Sequence, residues 1–260
     1  MARLPDDLIR FWRALDDKLS TVAPTWWGAV VTDERFPVIW DTNYARIDRP
    51  VEGLRLHEVE QALVPALEHV GATTFHVVSF FPDETHTLLV ELSSRGDTLS
   101  WDVVMRFEDA AATGSRGVHV EELPGGAELW NVVEASLSLF EITDPEAIRQ
   151  LLRLEEDVLS GTVKRWFGVR EDGRVVSLAA LVELSGVAYL DNVATFPQSR
   201  GKGYASALTA HVVSAALAAG VEHVYLFADP QGPVAMYERL GFREVGRVGS
   251  TRGPLPTLAL

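Results

Sequence analysis

The sequence has no cysteine among its 260 residues. It can therefore have no disulfide framework, no thiolate metal site and no cysteine nucleophile. Long apolar runs are missing too, and no stretch approaches the roughly 20 residues that span a bilayer. Residues 1–7 carry acidic side chains where a secretory signal would be basic and then apolar. We therefore expect a cytoplasmic protein that has no membrane partner.

Positive charge is scarce, because 23 lysines and arginines face 37 acidic residues and give a net charge of −14. Such a surface repels phosphate backbones, so we expect no nucleic-acid partner. The seven histidines have no His-x-x-x-His spacing, and we expect no metal site. The Gly-x-Ser-x-Gly turn of serine hydrolases is also missing.

The length suits one large domain or two of ordinary size. Residues 109–117 are small, polar and glycine-bearing, which is typical of a linker. We place a domain boundary there, between 1–112 and 113–260. Both halves have the same order of elements. In each, a strand is followed by a helix that ends at a glycine (Gly71, Gly220), by a second strand and by a proline. Strands and helices that alternate in this way predict an α/β fold. The repeated order indicates a degenerate duplication, and coincidence is the alternative because no residue-level repeat accompanies it.

Periodicity assigns the remaining segments. Helical spacing predicts helices over residues 5–19, 57–70, 83–94, 129–140, 144–159 and 204–219. Runs rich in β-branched and aromatic residues predict strands over residues 26–31, 37–40, 73–81, 98–107, 118–120, 163–169, 175–182, 188–195 and 221–228.

One segment, residues 191–205, departs from the acidic background. A strand stops at Pro197, Gly201 and Gly203 bracket Lys202, and a long helix starts at once. Glycine lets backbone N–H groups turn towards one point, and the helix N-terminus adds a partial positive charge. The segment therefore predicts a phosphate or pyrophosphate site.

Two familiar phosphate loops do not fit this segment. A P-loop needs glycine where Phe196 stands and a hydroxyl residue where Gly203 stands. A dinucleotide fingerprint needs a third glycine where Ser206 stands. The remaining alternative is a tight strand-to-helix turn without a ligand.

Two motifs together suggest a family. Residues 198–203 read Gln-Ser-Arg-Gly-Lys-Gly, and residues 237–242 read Tyr-Glu-Arg-Leu-Gly-Phe. The pair resembles the GNAT superfamily of acyl-CoA-dependent N-acyltransferases over roughly residues 117–250. The N-terminal part resembles the cofactor-free half of tandem GNAT proteins. The resemblance implies a mixed α+β sheet in two GNAT-like domains, with a degenerate N-terminal domain that has no cofactor loop.

The resemblance also implies acetyl-CoA as the acyl donor. Backbone N–H groups of residues 200–205 would hold the pyrophosphate, and the main chain of Val193 and Thr195 would pair with the pantetheine arm. Val193 N–H would polarise the thioester carbonyl, and Tyr237 would protonate the leaving thiolate. Asp229 stands roughly where the family usually has asparagine. The implied cofactor contacts are Val193, Thr195, Gln198, Ser199, Arg200, Gly201, Lys202, Gly203, Tyr204, Ala205, Asp229 and Tyr237.

The amine acceptor must lose a proton before it attacks the thioester. Asp191 and Glu183 are the two candidate bases, acting directly or through water. The alternative, which is favoured for each residue taken singly, is an ordinary carboxylate, at a strand edge for Asp191 and in a turn for Glu183.

The sequence thus predicts an N-acetyltransferase that moves an acetyl group directly to a primary amine of a small molecule or peptide. A homodimer is one assembly left open. The alternatives are a non-catalytic acyl-CoA-binding or regulatory module, and a structural pseudoenzyme in which the glycine loop is only a turn.

Overall fold

The structure is a computed structural model that describes residues 3–109, 117–160 and 162–256. It divides into two compact units, Met1–Val104 with Val245–Leu260, and Met105–Glu244. Most of the predicted linker, and the predicted boundary between residues 112 and 113, lie outside the described residues. No helix within the described ranges is long and apolar enough to cross a membrane.

The first unit combines helices with a mixed sheet. Its elements are α1 (Asp6–Leu19), β1 (Thr21–Pro24), β2 (Gly28–Thr32), β3 (Tyr44–Ile47), α2 (Leu56–Val70), β4 (Thr74–Ser79), α3 (His86–Arg95), most of β5 (Thr98–Phe107) and the end of β11 (Phe242–Pro254). Strand β2 pairs antiparallel with β1 and β3, β3 pairs parallel with β4, and β4 pairs antiparallel with β11. Buried side chains of α2, including Val59 and Leu63, pack with Trp27 and Phe75 in the core of this unit.

The second unit has the same kind of sheet. Its elements are β6 (Glu121–Leu123), α4 (Ala127–Leu137), α5 (Pro145–Leu154), β7 (Lys164–Glu171), β8 (Arg174–Leu184), β9 (Val187–Thr195), α6 (Tyr204–Ala218), β10 (His223–Ala228) and α7 (Val234–Arg239). Strands β6 to β9 pair antiparallel in succession, and β9 pairs parallel with β10. Leu129 and Val133 of α4 pack against Trp166 and Leu178 in its core.

The predicted mixed α/β architecture is therefore confirmed, and in each unit a helix connects two parallel strands. The six predicted helices all occur, although two end early: α4 ends at Leu137 and α5 at Leu154, each followed by a short non-α turn. A hairpin over residues 171–174 joins β7 to β8.

The strand prediction for residues 37–40 is wrong. The Asn43 side chain donates hydrogen bonds from Nδ2 to the carbonyls of Phe36 and Ile39, both at 2.9 Å. A short 3-10 helix, Trp40–Thr42, follows directly. The apolar run thus folds as a chain of turns because a side-chain amide binds its carbonyls, which a strand would offer to a neighbouring strand.

Three more differences concern strands. The short strand predicted at 118–120 lies slightly later, as β6, and strands β1 and β11 are not predicted by any pattern in the sequence. Strand β11 carries glycines where neighbours come close: a Cβ at Gly249 would lie 2.8 Å from Leu89, and one at Gly253 would lie 2.2 Å from Asp97. Those glycines weaken the strand signal in the sequence, although the packing requires them.

Candidate active site

The central feature of the second unit is a gap between two parallel strands. β9 and β10 pair at Val187–His223, Ala188–Val224 and Tyr189–Tyr225, and no later pair joins them among the described residues. β9 nevertheless continues to Thr195, held by β8 on its other edge. The edge of β9 that faces away from β8 is therefore left beyond Tyr189 for another extended segment to pair with.

A β-bulge lies within this free part of β9. Leu178 pairs with Ala194 and Ala180 pairs with Asp191, so β9 has one residue more than β8 between these pairs. Asn192 takes the left-handed conformation, with φ of 50°. A bulge of this kind redirects the backbone groups next to it, here those of Val193.

The predicted phosphate loop follows at the end of β9. Pro197–Ser199 form a short 3-10 helix, and Gly201 and Gly203 have φ of 78° and 82°. Residues other than glycine rarely adopt this backbone conformation. A Cβ placed on Gly201 would have no atom within 4 Å. The loop therefore has room above Gly201 for a group to approach its backbone.

Helix α6 begins directly at this loop, with Gly203 as its N-cap. No side chain of the described residues caps the helix, and its first turn contains no acid. The first N–H groups of a helix have no partner within the helix and carry its positive dipole end. Tyr204 and Ala205 therefore begin a helix whose N-terminus suits an anion, in contact with the glycine loop.

Side chains fix the loop from two directions. Arg200 Nε donates to the carbonyl of Thr195 at 3.1 Å. Glu171, from the end of β7, accepts a hydrogen bond from Lys202 Nζ at 2.5 Å and one from Ser199 Oγ at 2.9 Å. These bonds, first from Lys202 and then from Ser199, lower the pKa of Glu171, and the bond to Glu171 raises the pKa of Lys202.

Tyr237 lies on α7 and is 5% exposed. Its ring packs edge-to-face on Phe242, with centroids 5.8 Å apart. Burial raises the pKa of its phenol to about 12. Tyr237 is therefore protonated throughout the neutral range, which suits a proton donor and not a base.

The comparison with protein families gives residues 129–242 as a match to the acetyltransferase (GNAT) family. This segment contains the strand gap, the glycine loop and Tyr237. Residues 129–242 form a GNAT acetyltransferase domain.

Solved structures support the fold of the GNAT domain and of the chain around it. A GCN5-related N-acetyltransferase from Kribbella flavida is 16% identical, with 95% of each chain covered and a TM-score of 0.61. A tandem GNAT protein from the clavulanic acid biosynthesis pathway is 14% identical, with 80% of this chain and 73% of that one covered and a TM-score of 0.54.

A third similar structure, an acetyltransferase of the GNAT family from Novosphingobium aromaticivorans, is 23% identical with a TM-score of 0.45. The match covers 60% of this chain and 64% of that one, so the chain spans less than two thirds of that relative. No curated protein matches the chain.

The two candidate bases of the GNAT domain lie on opposite faces of its sheet. Asp191 pairs with Ala180, which shares a face with Trp166 and the α4 side. Glu183 lies on the other face, where Arg165 bonds it and Phe167 contacts His211 of α6. Alternation along a strand places such positions apart, so one amine cannot use both carboxylates at once.

Each candidate base accepts hydrogen bonds from a side-chain cation, and Asp191 also accepts one from a backbone N–H. Glu183 Oε2 accepts from Arg165 Nε at 3.0 Å and from Arg165 Nη2 at 2.9 Å. Asp191 Oδ1 accepts from the N–H of Asn192 at 2.9 Å, and Oδ2 accepts from Lys164 Nζ at 2.8 Å.

Lys164 joins Asp191 to a third carboxylate. Lys164 Nζ also donates to Glu155 Oε1 at 2.6 Å, and the Lys164 side chain is 2% exposed. Burial raises the pKa of Glu155 despite the neighbouring ammonium, whereas the two carboxylates raise the pKa of Lys164 against its own desolvation. Lys164 and Glu155 therefore form a buried ion pair of the GNAT domain. Asp191, which is partly exposed, bonds the same ammonium.

Asp229 accepts hydrogen bonds from the turn that follows it in the chain. Its Oδ1 accepts from the N–H of Gln231 at 2.8 Å, and its carbonyl accepts from the N–H of Gly232 at 2.8 Å. Gln198 is exposed at the loop. Within the described ranges, no group of three or more histidines, aspartates or glutamates could hold a metal ion.

Glu171, Glu155 and Lys164 belong to none of the motifs in the sequence. Glu155 lies in a predicted helix and Lys164 in a predicted strand. Their partners lie on other elements, so no local pattern could have indicated the contacts.

Proposed function

We propose that the chain is an N-acetyltransferase that moves an acetyl group from acetyl-CoA to a primary amine by direct attack. The observation that carries this proposal is the separation of β9 from β10 beyond Tyr189, directly before the glycine loop and the start of α6, whose N-cap is Gly203 and whose first turn contains no acid. A long ligand with an extended arm and a pyrophosphate fits those two features in that order.

The residues present fit the donor. The N–H groups of residues 200–205 bind the pyrophosphate, helped by the open space above Gly201. The main chain of Val193 and Thr195 pairs with the pantetheine arm along the free edge of β9. The remaining contacts proposed are with Gln198 and Asp229. When bound, acetyl-CoA supplies an acyl group activated as a thioester.

The proposed chemistry uses a donor, an acid and a base. Val193 N–H, aimed by the bulge at Asn192, donates to the carbonyl oxygen as negative charge develops there. A carboxylate, Asp191 or Glu183, takes a proton from the amine as the carbon–nitrogen bond forms. Tyr237 gives its hydroxyl proton to the sulfur as the carbon–sulfur bond breaks. A thiol pKa is about 8.5 and the pKa of the Tyr237 phenol is about 12, so this proton transfer is uphill by itself and is driven by the conversion of the thioester to an amide.

We also propose that residues 1–112 form a GNAT-like domain that lost its cofactor site and that residues 113–260 form the catalytic one. Two contrasts within the first unit support the loss. Strands β3 and β4 stay paired up to Ile47–Ser79, and Phe80 N–H donates to the carbonyl of Ile47. At the start of α2, Glu58 accepts a hydrogen bond from Arg55 N–H. The carboxylate of Glu58 therefore lies at the helix N-terminus, where a bound anion would otherwise lie.

Calorimetric titration with acetyl-CoA and CoA tests the proposal, and one site per chain is expected. Gly203→Asp puts a negative charge at the N-cap of α6 and should weaken binding by more than about 100-fold, because juxtaposed like charges cost several kcal/mol. Gly220→Asp is the matched control, because Gly220 has φ of 87° at the other end of the same helix and open space around it. Equal affinity in both variants, or no binding by the unaltered protein, would refute the proposed site.

A second candidate is a non-catalytic acyl-CoA-binding or regulatory module. The bonds that Lys164 and Arg165 make to the two candidate bases favour it, because in each carboxylate an oxygen that would accept the proton of the amine already accepts a hydrogen bond from a cation. Release of free thiol with a panel of primary amines distinguishes the two. Tight binding of acetyl-CoA without thiol release from any amine would favour the binding module.

A further inference from the structure

Glu171 makes two contacts with the glycine loop that no motif predicts. Its carboxylate bonds Ser199 through Oε2 and Lys202 through Oε1. The two partners lie on either side of Gly201, whose φ of 78° forms the turn of the loop. One side chain thus ties together both ends of the segment whose backbone must face the pyrophosphate.

The support for Glu171 is rigid. Glu171 is the last residue of β7 and pairs with Arg174 across the hairpin. The neighbouring residue, Arg170, binds Glu128 of α4 through Nη1 at 2.5 Å and Nη2 at 3.0 Å, and also bonds Glu121 of β6. The clamp therefore extends from a braced strand end to a loop that glycine makes flexible.

We propose that Glu171 is a positioning residue that holds the loop of residues 199–202 in the conformation that binds the pyrophosphate of CoA. This inference rests on the proposed function. Ser199 is buried at 2% exposure, so its bond to Glu171 fixes the start of the loop from within. Lys202 is more exposed, and its bond to Glu171 fixes the end of the loop.

The clamp also determines how the loop attracts an anion. The carboxylate of Glu171 offsets the charge of Lys202, so the attraction comes chiefly from Arg200, which bonds a carbonyl, from the oriented N–H groups and from the start of α6. Loss of the clamp removes a nearby negative charge and frees the loop, and these two effects act on CoA affinity in opposite directions. A variant that changes charge alone separates them.

The test compares Glu171→Gln with Asp172→Asn. Both remove one negative charge from adjacent positions of the same hairpin turn, but neither hydrogen bond to the loop involves Asp172. Calorimetry with CoA should give Glu171→Gln a three- to tenfold weaker affinity, the order expected for a partly exposed ion pair and its hydrogen bonds. Asp172→Asn should bind as the unaltered protein does, or slightly tighter.

Two further readouts separate positioning from general destabilisation. The KM for acetyl-CoA should rise in Glu171→Gln while kcat, the KM for the amine and the melting temperature stay within error. 3′-Dephospho-CoA keeps the pyrophosphate but has lost a phosphate, and Glu171→Gln should weaken its binding by the same factor.

Three outcomes would overturn the inference. The first is a CoA affinity of Glu171→Gln equal to or higher than that of the unaltered protein. The second is weaker binding of CoA but unchanged binding of 3′-dephospho-CoA, which would tie Lys202 to the 3′-phosphate. The third is no binding of CoA by the unaltered protein, and only this result would refute the proposed function as well.

Discussion

Replacement of Lys164 by methionine tests the buried ion pair of the second unit. Methionine keeps most of the length of the lysine stem, so the change removes the ammonium with little loss of volume. Glu155, which is 7% exposed, then loses the ammonium that donates to its Oε1. Asp191 keeps the N–H of Asn192 and is partly exposed, so most of the cost falls on Glu155.

The expected cost is about 3–5 kcal/mol in the free energy of unfolding at pH 8, as for other buried ion pairs that lose one partner. Burial already raises the pKa of Glu155 in the presence of Lys164, and without the ammonium it rises further. A carboxyl whose pKa is higher in the folded than in the unfolded state stabilises the fold at low pH, and this contribution disappears as the pH rises through the folded pKa. The cost should therefore be smaller at pH 5 than at pH 8.

Urea unfolding followed by circular dichroism at both pH values measures this. The double variant Lys164→Met with Glu155→Gln should recover part of the loss at pH 8, because no buried charge remains unpaired. Lys18→Met, at an exposed lysine of α1, is the control and should change the free energy by less than about 1 kcal/mol. A cost for Lys164→Met below about 1 kcal/mol, or one that is equal at pH 5 and pH 8, would refute the reasoning.

Two more predictions concern a hydroxyl and a carboxyl. Tyr237→Phe should lower turnover by about 100-fold or more with CoA affinity unchanged. Since the pKa of the Tyr237 phenol is about 12, the loss should be constant from pH 6 to pH 9 in steady-state assays. Full turnover in the variant would show that Tyr237 only packs on Phe242. Burial raises the pKa of Asp16 in the first unit to about 6, from 3.8, so it stabilises the fold at low pH. The unaltered protein should lose about 1 kcal/mol between pH 5 and pH 7 relative to Asp16→Asn, as measured by urea unfolding, and parallel pH curves for the two proteins would contradict this.

The sequence predicted the parts of the fold that local chemistry determines. Helix α6 has a strong pattern with glycine at both ends, and the loop before it was found because glycine, lysine and a helix start are adjacent in the chain. The run at residues 37–40 was misread because its conformation depends on the amide of Asn43, which a β-propensity pattern does not include.

The site was predicted less completely than the fold. The glycines and Tyr237 belong to motifs, whereas the Glu171 clamp and the Lys164 pair depend on strand pairing between segments far apart in sequence. The position of Asp191 and Glu183 on opposite faces follows from the register of β8 and β9, and a shift of one residue would have reversed it.

The pairing of β4 with β11 has a consequence for biosynthesis. β11 is the last strand of the described chain, and its residues 249–254 lie along β4 of the first unit. While the ribosome makes the GNAT domain, the backbone N–H and C=O groups along one edge of β4 have not yet paired with β11. An exposed strand edge of this kind can pair with other nascent chains. A chaperone that shields the edge of β4 during translation would therefore increase the yield of folded protein more than one that acts after release.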